Sequence, residues 1–447
     1  MQPLLEFERT LNSYVWGGPM IVLLIGTGVL LTVITRAVQF RELGFALREV
    51  LGKMFAEGRG SGSVSPFQAV ATALASTVGV GNIAGVATAI FLGGPGALLW
   101  LWVSGLLGMC TKYAEIVIAL QYREPDATGT MRGGAMYTLG KGLGLPWLGT
   151  IFALLTSLAA FGIGNMVQAN SVADSLRASF GVSPALTGLA LVAVTAVVIV
   201  GGIKRIGEVT AVLVPFMAVF YLAGGAVILL THAGEIPRAL GLVFDGAFTG
   251  TAAAGGFAGS TIGAALRYGI ARGLFSNEAG LGSAPMVHAA AQTDHPVRQG
   301  MYGIFEVFVD TILICTMTGL VILVTGTWTS GATGAALSAR AFETGLPGTW
   351  GHAVVTGGIL LFSFSTLIGW SYYGETGAVY LLGAQAAMPY RLLWLAFIYL
   401  GATGSLQVVW GVADTLNGLM AIPNLVAVLG SIPLLLRLQR EFFARAR

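Results

Sequence analysis

Long apolar runs separated by short polar connectors recur along almost the whole chain. A membrane-crossing helix needs about 20 mostly apolar residues. On that rule the pattern predicts eleven spans, near 17 to 36, 65 to 92, 96 to 121, 147 to 176, 184 to 203, 209 to 232, 256 to 290, 300 to 326, 350 to 373, 391 to 408 and 412 to 436. Arg267, Arg272 and Glu278 interrupt the seventh. Between the first two spans, Leu43, Phe45, Leu47, Val50, Leu51, Met54 and Phe55 recur among Arg and Glu at helical spacing. That spacing predicts an amphipathic helix, either lying on the cytoplasmic leaflet or packed on protein.

Composition turns this pattern into a fold class. Hydrophobic residues make up 55% of the chain and charged residues 10%, where soluble domains carry roughly a quarter charged. The expectation is an all-α polytopic membrane protein. Its 65 glycines are about twice the average usage of ~7%. They follow no collagen period and sit inside apolar runs, where small residues let helix backbones approach closely. Cys110 and Cys315 lack a CxxC partner, and His232, His288, His295 and His352 show no recurring ligand spacing. A disulfide framework, a zinc site and a haem site are therefore not indicated. No nucleophile and base pair up convincingly, so an enzyme is not expected. Nothing points to an organic cofactor, a nucleic-acid partner or an obligate protein partner. MQPLLEFERT lacks the cationic start of a cleavable signal, so the first span is expected to be retained.

Charge placement orients the spans. With the N-terminus outside, the inner side receives Arg36, Arg41, Arg48, Lys53, Arg59, Lys112, Arg123, Arg132, Lys141, Lys204, Arg205, Arg298, Arg391, Arg437, Arg440, Arg445 and Arg447. The outer side keeps Arg9, Arg177, Arg238 and Arg340. Seventeen against four, with Arg267 and Arg272 inside the seventh span, accounts for all 23 Lys and Arg. The positive-inside rule then places the C-terminus in the cytoplasm. A prokaryotic plasma (inner) membrane is the expected location.

Two apolar runs carry glycine and polar residues where a lipid-facing helix should not. They are ALASTVGVGNIAGVATAIFLGGPG, from Ala73, and GLFSNEAGLGSAP, from Gly273. Freed backbone groups at membrane depth are tolerated only where protein or a cavity satisfies them, so unwound stretches are expected at Gly79 to Asn82 and at Ser276 to Gly280. Both breaks fall in the first helix of a five-helix unit if residues 63–235 and 236–437 are two such units, the second inverted. Residues 1–62 then precede them and 438–447 form a basic tail. Paired breaks in inverted halves are the sequence mark of a transporter's central site. A half-helix N-terminus suits a carboxylate and an unwound C-terminal end suits a cation, so a zwitterionic amino acid matches both. A channel with re-entrant loops is the alternative, but no filter repeated by symmetry is visible. Ionisable residues inside spans are functional suspects. Lys112 and Glu115 at i, i+3 suggest an inner-side ion pair. Glu306 and Asp310 at i, i+4 share a proton, join Arg267 or Arg272, or help hold a cation.

GNIAGVATAIFLGGPGALLW, GMCTKYAEIVIALQYR, GGAMYTLGKGLG and LFSNEAGLGSAPMVHAAA resemble the hallmarks of the alanine or glycine:cation symporter family, from about residue 13 onward. That resemblance implies a leucine-transporter-like fold of two inverted five-helix repeats after one extra N-terminal helix. It also implies sodium, or less often protons, as coupling ion and alanine or glycine as substrate. By the same likeness the carbonyls of Ala75 and Val78 and the hydroxyls of Ser365 and Thr366 are implied sodium ligands, hard oxygens suited to a small cation. Ser and Thr in membrane helices also bond their own i−4 carbonyls. Thr77, Gly79, Gly81 and Asn82 serve the substrate or a second ion. Phe161, Asn165 and Gln168 share one face, with Gln168 expected to touch the substrate. Phe275, Asn277 and Trp370 are expected pocket walls. One departure is GGAMYT where the family often has GGPMYY.

Overall fold

Residue choice at the helix ends decides where the apolar runs start and stop. The computed structural model describes residues 2–54, 56, 58–250, 259–404 and 407–445. Helices α1 (Gln2–Val15) and α2 (Gly18–Ile34) lead in. In α3 (Leu43–Gly52) the amphipathic connector turns Ala46, Glu49 and Val50 inward while Leu51 stays exposed. Phe55, part of that expected stripe, lies outside the described residues. α4 (Pro66–Thr77) begins with a reciprocal cap: Ser65 Oγ accepts from Gln68 N at 3.1 Å and Gln68 Oε1 accepts from Ser65 N at 2.9 Å. Such a box satisfies two amides that the first turn leaves free. The helix stops where Val78 turns extended, and the chain resumes as α5 (Gly81–Gly93), bent by 50° from α4.

Five helices follow: α6 (Ala97–Gln121), α7 (Pro146–Phe180), α8 (Pro184–Ile199), α9 (Gly202–Thr231) and α10 (Ile236–Thr249). α11 (Ile262–Asn277) starts from a Thr261 cap and ends where Glu278 takes a left-handed conformation, φ 56°. Gly280 and Gly282 also have positive φ, which glycine adopts without a Cβ penalty. The short α12 (Ala284–His288) comes next. α13 (Pro296–Val324), α14 (Gly334–Gly345), α15 (Trp350–Leu382), α16 (Ala387–Thr403), α17 (Gln407–Gly430) and α18 (Ile432–Arg445) complete the chain. A two-residue hairpin, β1 (Glu124–Pro125) with β2 (Met131–Arg132), joins α6 to the turn before α7.

The class expectation of a helical membrane protein stands; among the described residues seven helices are long and apolar enough to cross a membrane, eight with the bent α4–α5 pair, against the eleven spans expected. The expected run of 256 to 290 is instead α11, a break and α12, because Glu278 and its glycines leave the helical region. The run expected over 412 to 436 closes at Gly430, and α18 starts separately at Ile432. α10 and α14 lie outside every expected span. At 14 and 12 residues they are too short for the length rule to register.

Glycine sets the packing. α6 is the most internal of the long apolar helices, with 83% of its most apolar window buried against 28% for α9. It packs on α13 where a Cβ at Gly300 would come within 2.6 Å of Val117 Cγ2. Dispersion and close backbone approach, rather than water exclusion, hold such contacts in lipid.

Candidate functional site

The first break faces α15. Ser365 Oγ donates to Ala75 O at 3.0 Å and lies 3.5 Å from Val78 O, while Thr366 Oγ1 lies 3.2 Å from Ala75 O. Both hydroxyls also reach Phe362 O of their own helix at 2.9 Å. Back-bonding and cross-helix contact thus occur together, and five hard oxygens from α4, its end and α15 meet at one buried point. The end of α4 leaves the carbonyls of Ala75 and Val78 without a continuing helix, which is why they are free to face α15.

Asp310 stands at the other side of the break. Asn82 Nδ2 donates to its Oδ1 at 2.6 Å, Ser276 Oγ to both carboxylate oxygens at 3.1 and 3.0 Å, and Thr311 Oγ1 to Oδ2 at 2.8 Å. Every one of these donors is neutral. Asn82 Oδ1 in turn accepts from Gly79 N at 2.9 Å, and Thr318 Oγ1 donates to Asn82 O at 2.8 Å. Ser338 Oγ donates to Ile83 O at 2.9 Å. The break is therefore satisfied by Asn82 of α5, and the first carbonyls of α5 by side chains of α13 and α14, as burial without water demands. One carboxylate ties the two breaks together.

Gln168 lies 5% exposed on α7, with Nε2 donating to Ile163 O at 3.0 Å and Oε1 without a partner among the described residues. A Cβ at Gly79 would sit 3.7 Å from that oxygen and 2.8 Å from Thr366 Oγ1. Gly79, Gln168 and Thr366 therefore share one small space. At Gly81 a Cβ would meet the Phe275 ring at 3.4 Å. The other expected site residues are engaged elsewhere. Thr77 Oγ1 bonds back to Ala73 O at 3.2 Å, and Asn165 Nδ2 donates to Trp394 O at 2.8 Å. Asn277 caps its own break, with Oδ1 accepting from Ala279 N at 3.0 Å and Nδ2 donating to Thr311 Oγ1 at 3.2 Å. Trp370 Nε1 donates to Glu278 Oε1 at 2.9 Å.

The buried charges pair differently from the sequence expectation. Lys112 Nζ lies 3.2 Å from Glu306 Oε1 on α13, not on Glu115. Glu115 accepts from Asn424 Nδ2 of α17, which also donates to Gly280 O at 2.9 Å. Gln299 Nε2 donates to His288 Nδ1 at 2.9 Å, leaving His288 Nε2–H for Glu306 Oε2 at 3.2 Å. Glu306 thus joins neither Asp310 nor Arg267 nor Arg272. Tertiary packing brings α13 to Lys112, whereas i, i+3 spacing alone suggested the local partner.

Comparison with known proteins decides what this site belongs to. The sodium:alanine symporter family is matched over residues 1–447. The chain belongs to that family. Sodium/alanine symporter AgcS of Methanococcus maripaludis is 51% identical over 429 residues, covering 94% of this chain and 93% of that protein. The probable sodium/glutamine symporter GlnT of Bacillus subtilis is 38% identical over 431 residues, covering 96% and 88%. Among solved structures, MhsT in complex with L-phenylalanine aligns at TM-score 0.55 over 86% of this chain and 99% of that chain, with 13% identity. At that identity the likeness concerns the fold alone, and it is the leucine-transporter-like fold. Membership makes the protein a sodium-coupled amino-acid symporter of a plasma membrane, and not an enzyme.

Sequence reading of this family member missed three parts of the site. Phe362 contributes a carbonyl, which any residue type offers and no sequence signal marks. Ser276 was visible in the second break but not as a partner of Asp310. Glu278 was visible as a charge in an apolar run but not as the acceptor for Trp370, nor for Ser283.

At the far end of α15 the symporter closes with a charged knot. Arg132, 3% exposed, lies 2.7 Å from Asp126, 2.9 Å from Glu375 and 5.5 Å above the Tyr372 ring centroid. Arg391 grips Glu375 through two bonds of 2.7 and 3.0 Å. Burial acts to raise the Asp126 carboxyl, but hydrogen bonds from Arg132 and Thr128 outweigh it and hold the group below the ordinary carboxylate value. A depressed folded value stabilises the hairpin fully above the unfolded value of about 3.9 and loses that contribution as pH falls through the folded one. Exchange of the Thr128 and Thr130 amides, both of which donate to Asp126, is expected to become less protected as pH drops below about 4. Asp126→Asn should give weak protection with no such step. Identical profiles for the two proteins would contradict this role.

Proposed function

We propose that the protein imports alanine, glycine or both together with at least one sodium ion, by alternating access about a site between the two breaks, with its N-terminus outside. The observation that carries this is the meeting of Ala75 O, Val78 O, Phe362 O, Ser365 Oγ and Thr366 Oγ1. Five uncharged oxygens fit a small hard ion. Asp310, held only by neutral donors, supplies a negative charge that a second sodium or the substrate ammonium would complete. The first turn of α5 presents a helix N-terminus to the substrate carboxylate. Gln168 Oε1, an orphaned buried acceptor, receives the ammonium.

Phe275 packs on Gly81 and bounds the space beyond the ammonium. An extra methylene costs only about 1 to 3 kcal/mol of discrimination by affinity, so clash with that ring has to do most of the selection. A family that includes a protein named for glutamine must set size by such local walls. Differential binding of substrate and ion to the outward-open and inward-open forms drives the cycle. Its pivots are the two breaks, the places where helix continuity is already lost.

The deciding experiment is uptake of labelled alanine and glycine by the purified protein in sealed vesicles. Accumulation is expected under an inward sodium gradient. No accumulation, or equal accumulation without the gradient, would overturn the reading. Gln168→Ala is expected to weaken substrate binding about tenfold or more, because a hydrogen bond to a charged group contributes about 1.5 to 3 kcal/mol. Unchanged affinity in a folded variant would take Gln168 out of the site.

A further inference from the structure

Arg267 and Arg272 interrupt the apolar run of α11, and the central site uses neither. Charged residues in membrane helices normally pair or face a water-filled cavity. Among the described residues no carboxylate pairs with either. Instead the Arg267 guanidinium lies 5.8 Å from the Tyr268 ring centroid and that of Arg272 lies 5.7 Å from the Phe275 ring centroid. Both guanidinia line a cavity of about 100 Å³ with Asn12, Phe275 and Asp414. A wider one of about 310 Å³ shares Arg267, Arg272, Asn12 and Asp414. Asp414, the one acid in either lining, already accepts from Asn12 Nδ2 at 2.9 Å. Residues 251–258, which lead into α11, contain no acid in their sequence. Each lining therefore holds two guanidinium groups and one carboxylate.

We propose that Arg272, with Arg267 beside it, forms an entry site that receives the substrate's α-carboxylate before the substrate reaches the first break. The proposal rests on the amino-acid reading of the central site. The floor of the cavity is the same Phe275 ring that meets Gly81, so the entry site and the central site share one wall. A guanidinium presents two parallel N–H donors that match a carboxylate, and among the described residues Arg272 forms no ion pair, Asp414 of the same lining accepting from Asn12. Alanine and glycine are zwitterions without net charge, so long-range attraction is weak and contact at the cavity must supply the effect. On the proposed orientation this is the outer mouth, where the positive-inside trend leaves few arginines.

An entry site changes rates rather than the final affinity. With sodium present, Arg272→Gln is expected to slow both association and dissociation of alanine about threefold to tenfold, at or below the low end of what charged clefts provide. The equilibrium affinity of the central site should stay at its wild-type value. Propionate, a carboxylate without an ammonium, should slow alanine association in the wild type and lose that effect in Arg272→Gln. Rapid-mixing fluorescence on the full chain reads both. Unchanged rates and unchanged propionate sensitivity in the variant would overturn the proposal. So would chloride slowing entry as much as propionate at equal ionic strength, which would mark a general anion site. If Arg272→Gln does not fold, Arg267→Gln, altering an exposed residue of the same cavity, is read in the same way. Wild-type protein that binds no alanine would sink the central-site reading instead, whereas a wild type that binds and a variant that matches it would sink only the entry site.

Discussion

Lys112→Met is expected to destabilise the protein by about 3 to 5 kcal/mol, the usual consequence of stripping one partner from a buried ion pair. Lys112 and Glu306 are both fully buried and 3.2 Å apart, and the field of Lys112 also reaches Glu278 and Glu115. Without the ammonium, Glu306 keeps His288 as its one donor among the described residues, and three buried carboxylates lose their shared cation. Replacing both partners with apolar residues of similar shape removes the pair and its desolvation cost together, an exchange often neutral or stabilising. Lys112→Met with Glu306→Leu should therefore recover most of the loss. Thermal unfolding of the four proteins in one detergent measures the coupling. Additive effects of the two single changes would show that the pair does not act as a unit. Because His288 ends α12 and Glu115 reaches Gly280 through Asn424, the single variant should also loosen the second break and lower transport more than the double variant does.

Those partners illustrate what sequence could and could not convey. Most helix-forming runs, the neighbourhood of both breaks to within a few residues and the glycine-rich packing were legible, because hydrophobic length and local backbone chemistry act within a few residues. The first break shows it: expected at Gly79 to Asn82, it falls at Val78 to Val80, where Val78 turns extended and Asn82 Oδ1 accepts from Gly79 N at 2.9 Å. Partners 92 to 228 residues away were not legible from residue type. Asn82 finds Asp310, Lys112 finds Glu306, and Trp370 finds Glu278 only after the helices have packed. Spacing suggested Lys112 with Glu115 because i, i+3 neighbours face one another on any helix, but a buried lysine takes the partner that the neighbouring helix presents. The hydroxyls of Ser365 and Thr366 were named through family likeness, and their position opposite Ala75 arises from the crossing of α15 and α4. Phe362 O lay beyond sequence reasoning altogether, since every residue carries a carbonyl.

Ser365→Ala with Thr366→Ala is expected to raise the sodium concentration for half-maximal alanine binding about tenfold or more, which corresponds to about 1.4 kcal/mol or more. Two of the five oxygens leave, and three carbonyls alone cannot surround the ion. Ser365 reaches both Ala75 O and Val78 O while Thr366 reaches only Ala75 O across the helices, so Ser365→Ala alone should have the larger single effect on sodium. Thr366 instead stands nearest Gly79, in the space shared with Gln168, so its removal should also touch alanine binding. Coupling between ion and substrate is reciprocal: whatever factor sodium adds to alanine affinity, alanine adds to sodium affinity. The double variant should therefore lose much of that mutual factor while its ranking of alanine, glycine and larger amino acids stays as in the wild type. Titrating sodium at fixed alanine, then alanine at saturating sodium, separates the two effects. An unchanged sodium dependence in a folded double variant would remove both hydroxyls from the ion site. A changed ranking of amino acids with intact sodium dependence would place them against the substrate instead.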